Sequence, residues 1–187
     1  MKRLFVGFVV WAAIGSLVYG QDGGLVRLKL SSGDYTVRPG NGDRISVHWQ
    51  PNEPENKKKL EEMKKIKVHV ETSGLITTIR TEGPTRHARM VIEIPARTDL
   101  YLRMRAGDVR IQGIEGNKDI HMTAGDLNID VSPASYSQVN ASVTLGDLQA
   151  TPFRISKDGF KNSFEWRGYG EYTLRASLFA GDLTLRE

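Results

Sequence analysis

A ten-residue pattern occurs four times in this 187-residue chain, each time centred on the dipeptide Gly-Asp. The copies span residues 102–111, 120–129, 141–150 and 176–185. In every copy the positions five, three and one before the glycine, and two and four after it, are apolar, and the positions between them are polar except at Phe179. Alternation with a period of two is typical of β-strands that bury one face. The pattern therefore predicts an all-β chain built from short strands.

The alternation shifts by one position at each Gly-Asp dipeptide. Ala124 and Leu127 both occupy apolar positions, although two residues separate them. Gly125-Asp126 is therefore predicted to be a corner between two strands whose apolar faces point the same way. Glycine adopts φ > 0 at little steric cost, and the aspartate carboxylate can accept hydrogen bonds from backbone N–H groups of its turn. Two architectures satisfy this pattern: a two-residue hairpin loop with glycine first, or a corner of a solenoid coil.

The spacing of the dipeptides favours the solenoid. The glycines of the four copies are 18, 21 and 35 residues apart, and an earlier, weaker copy at Gly33 lies 74 residues before Gly107. Self-similarity near 20 residues is typical of repeat architectures, and stacked coils require near-identical corners. We predict a short, single-domain β-solenoid of parallel stacked coils, with an antiparallel β-sandwich as the alternative. The predicted corner residues are Gly33, Asp34, Gly107, Asp108, Gly125, Asp126, Gly146, Asp147, Gly181 and Asp182.

A family resemblance rests on Ile92-Glu93-Ile94-Pro95, on Thr98-Asp99-Leu100, and on the Gly-Asp-Val and Gly-Asp-Leu repeats that follow. Together these segments resemble the bacterial DUF4097 family, most closely over residues 90–150 and 171–187. That family is grouped with adhesin domains of the head GIN type, and its members look like short β-solenoids. The resemblance implies a solenoid with an adhesin label that derives from fold similarity, and it implies no catalytic residues.

Residues 1–20 have the features of a cleaved secretory signal peptide. Lys2 and Arg3 form a charged start, the stretch from Leu4 to Leu17 is apolar apart from three small residues, and the sequence before Gln21 fits a cleavage point. The apolar run is shorter than the ~20 residues of a membrane-spanning helix, which argues against an uncleaved anchor. We expect a periplasmic, outer-surface or secreted protein, without a transmembrane segment after cleavage.

Residues 21–187 are sufficient for one domain. The chain has 26 Lys+Arg and 22 Asp+Glu, so removing the two basic residues of the signal peptide leaves a net charge of about +2. A charge this small argues against nucleic-acid binding. The chain contains no cysteine, which excludes disulfides and fits a fold stabilised by stacked apolar rows.

Two segments interrupt the strand pattern. Residues 55–65 are rich in both charges, with Leu60 and Met63 three positions apart, and predict a short amphipathic helix on an excursion from the solenoid. A basic patch for an anionic partner is the alternative interpretation. Residues 152–170 concentrate five aromatic side chains among Gly, Lys and Arg. We interpret this segment as a cap over an open solenoid end or a loop packed on it, although binding hot spots have a similar composition.

The sequence lacks motifs of enzyme chemistry. The four histidines, at positions 48, 69, 87 and 121, have no metal-ligand spacing, and no nucleophile elbow or phosphate-binding loop occurs. We therefore predict no catalytic, cofactor-binding or metal site. In stacked coils the corner aspartates would form a column at intervals of ~4.8 Å. Calcium binding and acid-base chemistry on a polysaccharide are the weaker alternatives to simple turn capping by these residues.

These features support a non-catalytic, extracytoplasmic β-solenoid that acts as a scaffold or adhesin-like surface of a bacterial envelope. The alternatives are a carbohydrate-active enzyme or a calcium-binding module on the same scaffold. An envelope glycan or a protein surface is the kind of partner expected, and no residue pattern in the sequence identifies which.

Overall fold

The structure is a computed structural model that describes residues 18–19, 23–53 and 55–187. Strands dominate these residues, and one α-helix, α1 (Lys57–Met63), follows the fourth strand. In chain order the strands are β1 (Val18–Tyr19), β2 (Leu25–Leu30), β3 (Asp34–Pro39), β4 (Arg44–Pro51), β5 (Lys67–Ser73), β6 (Ile76–Glu82), β7 (Ala88–Ile94), β8 (Asp99–Ala106), β9 (Val109–Ile111), β10 (Lys118–Ala124), β11 (Leu127–Asp130), β12 (Tyr136–Leu145), β13 (Leu148–Ala150), β14 (Ile155–Lys157), β15 (Phe160–Arg167), β16 (Tyr172–Ala180) and β17 (Leu183–Arg186).

The strands form two sheets that share one hydrophobic core. The first sheet has the order β1-β4-β7-β3-β9-β11-β17-β13-β14, and the second has the order β15-β12-β16-β10-β8-β2-β6-β5. Neighbouring strands inside both sheets run parallel, and antiparallel pairs lie at the sheet ends of the described chain. The prediction of an all-β chain is confirmed. The interior pairing is parallel, in contrast to the antiparallel pairing of the alternative sandwich.

Six strand pairs in the described chain cross from the second sheet to the first, and we call each such pair a β-arch. The order of the β-arches in space differs from their order in the sequence. Along the stack they are β6–β7, β2–β3, β8–β9, β10–β11, β16–β17 and β12–β13. The β16–β17 arch therefore lies between two arches that precede it in the chain. The antiparallel strands β14 and β15 pair with β13 and β12 at one end of the stack.

Apolar side chains at equivalent positions of successive arches form buried rows. In the second sheet one row contains Leu28, Leu102, Ile120, Ala176 and Ala141 as register neighbours, and all five are buried. This row is apolar because every arch in it repeats the same alternation. Burial of a leucine- or isoleucine-sized side chain stabilises the folded state by about 1.5–3 kcal/mol, so the rows supply much of the driving force for stacking.

The apolar position directly before each corner glycine departs from this arrangement. The alternation predicts burial there, but Ala106, Ala124 and Ala180 are half-buried and Leu145 is 45% exposed. Each of these residues is the last of its strand, directly before the corner, and lies at the margin of the core. The prediction of burial was wrong for this position.

The helix α1 occupies the excursion between β4 and β5. Asn56 caps its N-terminus, because the Asn56 side chain accepts a hydrogen bond of 3.2 Å from the backbone N–H of Lys59. Met63 is buried, and Leu60 packs against the core while partly exposed. The helix thus rests its apolar side on the arches and leaves most of its charges in solvent.

The predicted signal peptide, residues 1–20, lies outside the described residues except for Val18–Tyr19. The backbone of these two residues pairs antiparallel with Ile45 and Arg44 at the end of the first sheet. No helix within the described ranges is long and apolar enough to cross a membrane.

Candidate functional site

The Gly-Asp dipeptides stack into one column along the edge where the sheets meet. In spatial order the corner glycines are Gly33, Gly107, Gly125, Gly181 and Gly146. Backbone hydrogen bonds connect each corner with the next; for example, the N–H of Gly125 donates to the carbonyl of Ala180 at 3.0 Å, and the N–H of Leu127 donates to the carbonyl of Asp182 at 2.8 Å. The backbone hydrogen bonds between neighbouring arches thus continue from one sheet to the other through the corners.

Four of these glycines have both a left-handed backbone and a close neighbour. Gly107, Gly125, Gly146 and Gly181 have φ values between +111° and +125°. A Cβ added at any of them would lie 2.0–2.1 Å from the carbonyl oxygen of the preceding glycine in the column. Side chains cannot occupy that space, so the repeated glycine permits the backbones of successive corners to approach each other.

Gly33 lies at the start of the column and differs from the others. Its neighbour is Thr85 instead of a glycine, and a Cβ at Gly33 would lie 2.9 Å from the carbonyl carbon and oxygen of Thr85. Thr85 is fully buried, and its hydroxyl donates to the carbonyl of Ser32 at 2.7 Å. A short 3-10 turn, Thr85–His87, therefore replaces the Gly-Asp corner in the β6–β7 arch.

Two of the corner aspartates, Asp108 and Asp182, accept hydrogen bonds from the neighbouring corner. Oδ1 of Asp108 accepts a hydrogen bond of 3.1 Å from the backbone N–H of Asp126, and Oδ1 of Asp182 accepts one of 3.1 Å from the backbone N–H of Asp147. The expectation that each aspartate caps its own turn is wrong for Asp108 and Asp182. Because the arches approach so closely, the N–H of the next arch is the nearer donor. The fifth predicted aspartate, Asp34, begins β3 and is half-buried.

The described residues contain no group of three or more His, Asp or Glu side chains that could hold a metal ion. The histidines are dispersed, and each lies near a different carboxylate. The nitrogen-oxygen distances are 3.5 Å for His48–Glu93, 3.8 Å for His69–Glu82, 3.1 Å for His87–Glu62 and 2.9 Å for His121–Asp119. Neither the corner column nor the histidines assemble a ligand set for calcium or zinc.

Lys118 is a buried charge within an apolar row. It is 2% exposed, and its register neighbours on the adjacent strands are Leu100 and Leu174. Its Nζ donates to the carbonyl of Ile114 at 2.7 Å, the carbonyl of Gly116 at 3.2 Å and the hydroxyl of Tyr136 at 2.5 Å. An ammonium group has three N–H donors, so each of them has an acceptor. Lys118 thereby fixes the loop before β10 against the start of β12.

The surroundings of Lys118 change its acidity. Burial lowers the pKa of the Lys118 ammonium to about 8, and the nearby carboxylates of Asp99 and Glu115 act in the opposite direction. Burial also raises the pKa of the Tyr136 hydroxyl, which is therefore protonated over the physiological range. The hydrogen bonds of Lys118 give this pair a structural role, because they connect the loop before β10 to Tyr136 at the start of β12.

A shallow groove of about 920 Å³ crosses the outward face of the second sheet. Basic residues of β2, β6 and β8 line one part of it, and hydroxyl-bearing residues of β10, β12 and β16 line the other. A second groove of about 670 Å³ adjoins it through Lys29 and reaches Tyr101 and Arg175. This face presents two adjoining grooves to solvent and is the candidate binding surface.

A protein-family model described as Toastrack DUF4097 matches residues 26–161, which is more than half of the chain. The chain belongs to the DUF4097 Toastrack family. The resemblance deduced from the repeats is thereby confirmed.

Comparison of this Toastrack chain with solved structures also finds matches. A protein named "putative cell adhesion protein" from Clostridium sporogenes ATCC 15579 has a TM-score of 0.60 and 14% identity, covering 94% of this chain and 99% of its own. At this identity the likeness is one of fold. A "putative adhesin" from Parabacteroides merdae ATCC 43184 has a TM-score of 0.30 and 8% identity, covering 92% and 95% of the two chains. Among curated proteins, no sequence matches the Toastrack chain.

The aromatic segment of this Toastrack chain lies at the β12–β13 end of the stack. Phe153 packs against Phe164 and Trp166, with ring centroids 5.3 and 4.9 Å apart. These rings lie against the core, whereas Phe160 is 62% exposed and Tyr169 is fully exposed. Three of the five aromatic rings in residues 152–170 therefore pack near the stack end.

Sequence reasoning missed two features of the Toastrack structure. Lys118 lies seven positions before Gly125, where the other repeats carry Leu100, Leu174 and Val139. Extending the repeat alignment by two positions would have identified Lys118 as a polar residue in an apolar row. The basic part of the groove comes from strands that are distant in sequence, and only their pairing brings it together.

Proposed function

We propose that residues 21–187 form a single β-solenoid domain that acts, without catalysis, as an adhesin-like binding surface or scaffold outside the cytoplasm of a bacterium. The six β-arches are the coils of this solenoid. Its corners maintain the stack, and the outward face of its second sheet contacts the partner. An envelope glycan or a protein surface is the partner in this proposal.

The observation that carries the proposal is that the repeated glycines and aspartates of the corners have structural roles. The corner glycines are required for close backbone approach, and Asp108 and Asp182 bond to backbone N–H groups of neighbouring arches. The repeated aspartates of the Gly-Asp corners thus have a structural explanation. Their presence does not require a pair of catalytic carboxylates. Repeat proteins typically combine such an inert frame with an extended binding face.

Two further observations support the location and the role. The charged start and apolar stretch within residues 1–20 have the form of a signal peptide. The protein of similar fold from Clostridium sporogenes carries a cell-adhesion name. In this proposal the signal-peptide-like segment directs export, and the cell-adhesion role is extended to this chain.

The role is tested by exposing the purified protein to a glycan array and to envelope proteins in a pull-down. We expect saturable binding to at least one envelope glycan or protein, with each bound glycan recovered at its original length. Shortened glycan would establish an enzyme and contradict the non-catalytic part of the proposal. Absence of binding to every glycan and envelope protein would contradict the adhesin-like part.

The location is tested by N-terminal sequencing of the protein recovered from the envelope fraction and the medium. Cleavage before Gln21 is expected. Membrane-bound protein that retains Met1 would contradict a cleaved signal peptide.

A further inference from the structure

Three basic residues are direct neighbours on three successive strands of the second sheet. Arg80 on β6 is in register with Lys29 on β2, and Lys29 is in register with Arg103 on β8. Parallel strands lie about 4.8 Å apart, so the three side chains leave the sheet in a line across the strands. Arg27 and Arg105, two positions away on the same strands, point from the same face. We call these five residues the basic patch.

The basic patch is exposed and lacks internal neutralisation. All five residues are exposed. Among the residues that the structure describes, none of the five forms an ion pair with a carboxylate. Arg103 lies over the ring of Tyr101, with its guanidinium carbon 5.2 Å from the ring centre. Glu82, which follows on β6, lies near His69 instead. The patch therefore presents concentrated positive charge to solvent.

In the first sheet of the same molecule, basic residues do form ion pairs with carboxylates on adjacent strands. There, Arg38 on β3 forms an ion pair of 2.8 Å with Glu93 on the adjacent strand β7. Likewise, Arg186 on β17 forms one of 3.1 Å with Asp130 on the adjacent strand β11. Like charges on directly opposite positions of neighbouring strands destabilise a sheet. An external anion bound along the row would remove this repulsion.

Hydroxyl groups continue the row of Arg80, Lys29 and Arg103 across the rest of the sheet. Beyond Arg103 the register neighbours are His121, Ser177, Ser142 and Ser163. The row thus changes from cationic to hydroxyl-bearing along the groove. Phe179, 55% exposed, lies at the side of the groove and offers a flat apolar surface. Cations, hydroxyls and an exposed aromatic ring are together the groups that contact an acidic sugar chain.

We propose that the groove of the second sheet binds a linear anionic polysaccharide that lies across the strands. Its carboxylates contact the basic patch, and its hydroxyl groups contact Ser177 and Ser142. The spacing between strands is comparable to the length of one monosaccharide along an extended glycan, so successive sugars meet successive strands. This inference rests on the proposed function, since it names the partner class of the adhesin-like surface. A membrane surface fits less well, because the row is concave and carries few apolar groups for insertion.

The test measures binding of the purified protein to polygalacturonate, with neutral dextran and anionic phosphatidylglycerol vesicles as comparison ligands. The double variant Lys29→Glu/Arg103→Glu reverses the centre of the basic patch. The matched control, Arg89→Glu/Arg110→Glu, makes the same change in net charge at exposed arginines of the first sheet. Thermal melting of the wild type and of every variant establishes that each protein is folded.

We expect the wild type to bind polygalacturonate and not dextran, and to bind more weakly as salt rises. The patch variant should bind at least about tenfold more weakly, and the control should remain within about twofold of the wild type. A Ser142→Ala/Ser177→Ala variant should weaken binding about threefold while leaving its salt dependence unchanged.

Three results would overturn the inference. One is the absence of polygalacturonate binding by the folded wild type, and another is an equal loss of affinity in both double variants. The third is patch-dependent binding to vesicles without binding to polygalacturonate, which would assign the patch to a membrane. If the first of these results is accompanied by binding of a neutral glycan or a protein, the polysaccharide inference fails and the adhesin-like function stands.

Discussion

The carbonyl oxygen of Gly107 lies 2.0 Å from the point that a Cβ on residue 125 would occupy. Carbon and oxygen atoms that are not bonded to each other do not approach so closely. The contact joins backbone to backbone, so rotation of a side chain cannot relieve it. The same relationship recurs between Gly181 and Gly125 and between Gly146 and Gly181. At these corners the backbones can approach so closely only because glycine has no Cβ atom.

Gly125→Ala should accordingly lower the free energy of unfolding by about 3 kcal/mol or more, combining the strain of φ +111° with displacement of the adjacent corner. Urea denaturation of the wild type and the variant measures this difference. Gly159→Ala is the matched control, because Gly159 has φ +99° but no atom within 4 Å of its added Cβ. That variant should lose only about 1 kcal/mol. Equal losses of unfolding free energy in the two variants would show that the positive φ alone accounts for glycine at position 125.

Replacement of Leu127 or Leu183 by alanine should cost about 2–5 kcal/mol, because the two side chains are fully buried register neighbours. Replacement of His121 or Asn128, on the outward faces, should cost less than about 1 kcal/mol. Chemical denaturation at one pH compares the four variants. Similar midpoints for both pairs would mean that the assignment of inward and outward faces is incorrect.

The lowered pKa of Lys118, about 8 against an ordinary 10.5, predicts a specific dependence of stability on pH. Between these values the unfolded chain binds more protons at this site than the folded protein does. The free energy of unfolding therefore rises with pH in this window, by up to about 1.4 kcal/mol per pH unit, and the gain is lost as pH falls through 8. Lys118→Met should remove this rise.

Urea denaturation of the wild type and Lys118→Met from about pH 7 to about pH 9.5 tests the prediction. Both proteins retain Tyr136, whose raised pKa lowers the free energy of unfolding only above about pH 10, outside the range of this experiment. Parallel pH profiles for the two proteins would show that Lys118 titrates as it does in the unfolded chain.

The bond from the Asp126 N–H to the Asp108 carboxylate predicts different effects for two substitutions at Asp108. Asp108→Ala removes the acceptor and should cost about 1 kcal/mol. Asp108→Asn retains an oxygen in the same place and should cost less than about 0.5 kcal/mol. Thermal melting of both variants measures the contrast. Equal losses for asparagine and alanine would indicate that the negative charge, and not the acceptor oxygen, stabilises the corner.

Calcium should have no effect on the melting temperature of the wild type or of Asp126→Asn. The described residues offer no cluster of three acidic or histidine ligands, and a bound ion would stabilise only a protein that holds it. The measurement is thermal melting with Ca²⁺ and with a chelator. A rise of several degrees in the wild type that Asp126→Asn abolishes would make the corner column a metal site.

The sequence predicted the local structure well because each repeat encodes its own alternation. The inward positions of the repeat, such as Ile120 and Leu127, are buried, and the Gly-Asp dipeptides are corners between two sheets. These features depend on residues within about ten positions of one another. The position before the glycine was the exception, because its exposure depends on where the turn begins and not on the alternation.

The neighbours of each arch could not be predicted in the same way. Every arch presents nearly the same apolar row to both sides, so alternation leaves its position in the stack undetermined. The hydrogen-bond partner of the Asp108 carboxylate could not be predicted either, because it lies in another arch and not in the turn that contains Asp108. Predicting the basic patch also requires the order of the arches, since Arg80, Lys29 and Arg103 become neighbours only when β6, β2 and β8 lie side by side.

The position of β16–β17 between β10–β11 and β12–β13 affects how the molecule can be assembled. During synthesis, β12 to β15 emerge before β16–β17 and have no arch to pair with on their inner side. The nascent chain therefore carries two open edges, on β10–β11 and on β12–β13, that are complementary to the same missing arch. Exposed strand edges recruit strands from other chains. A β16–β17 arch from a second molecule would fit this gap, so exchange of this arch is the route to a swapped dimer that the topology makes available.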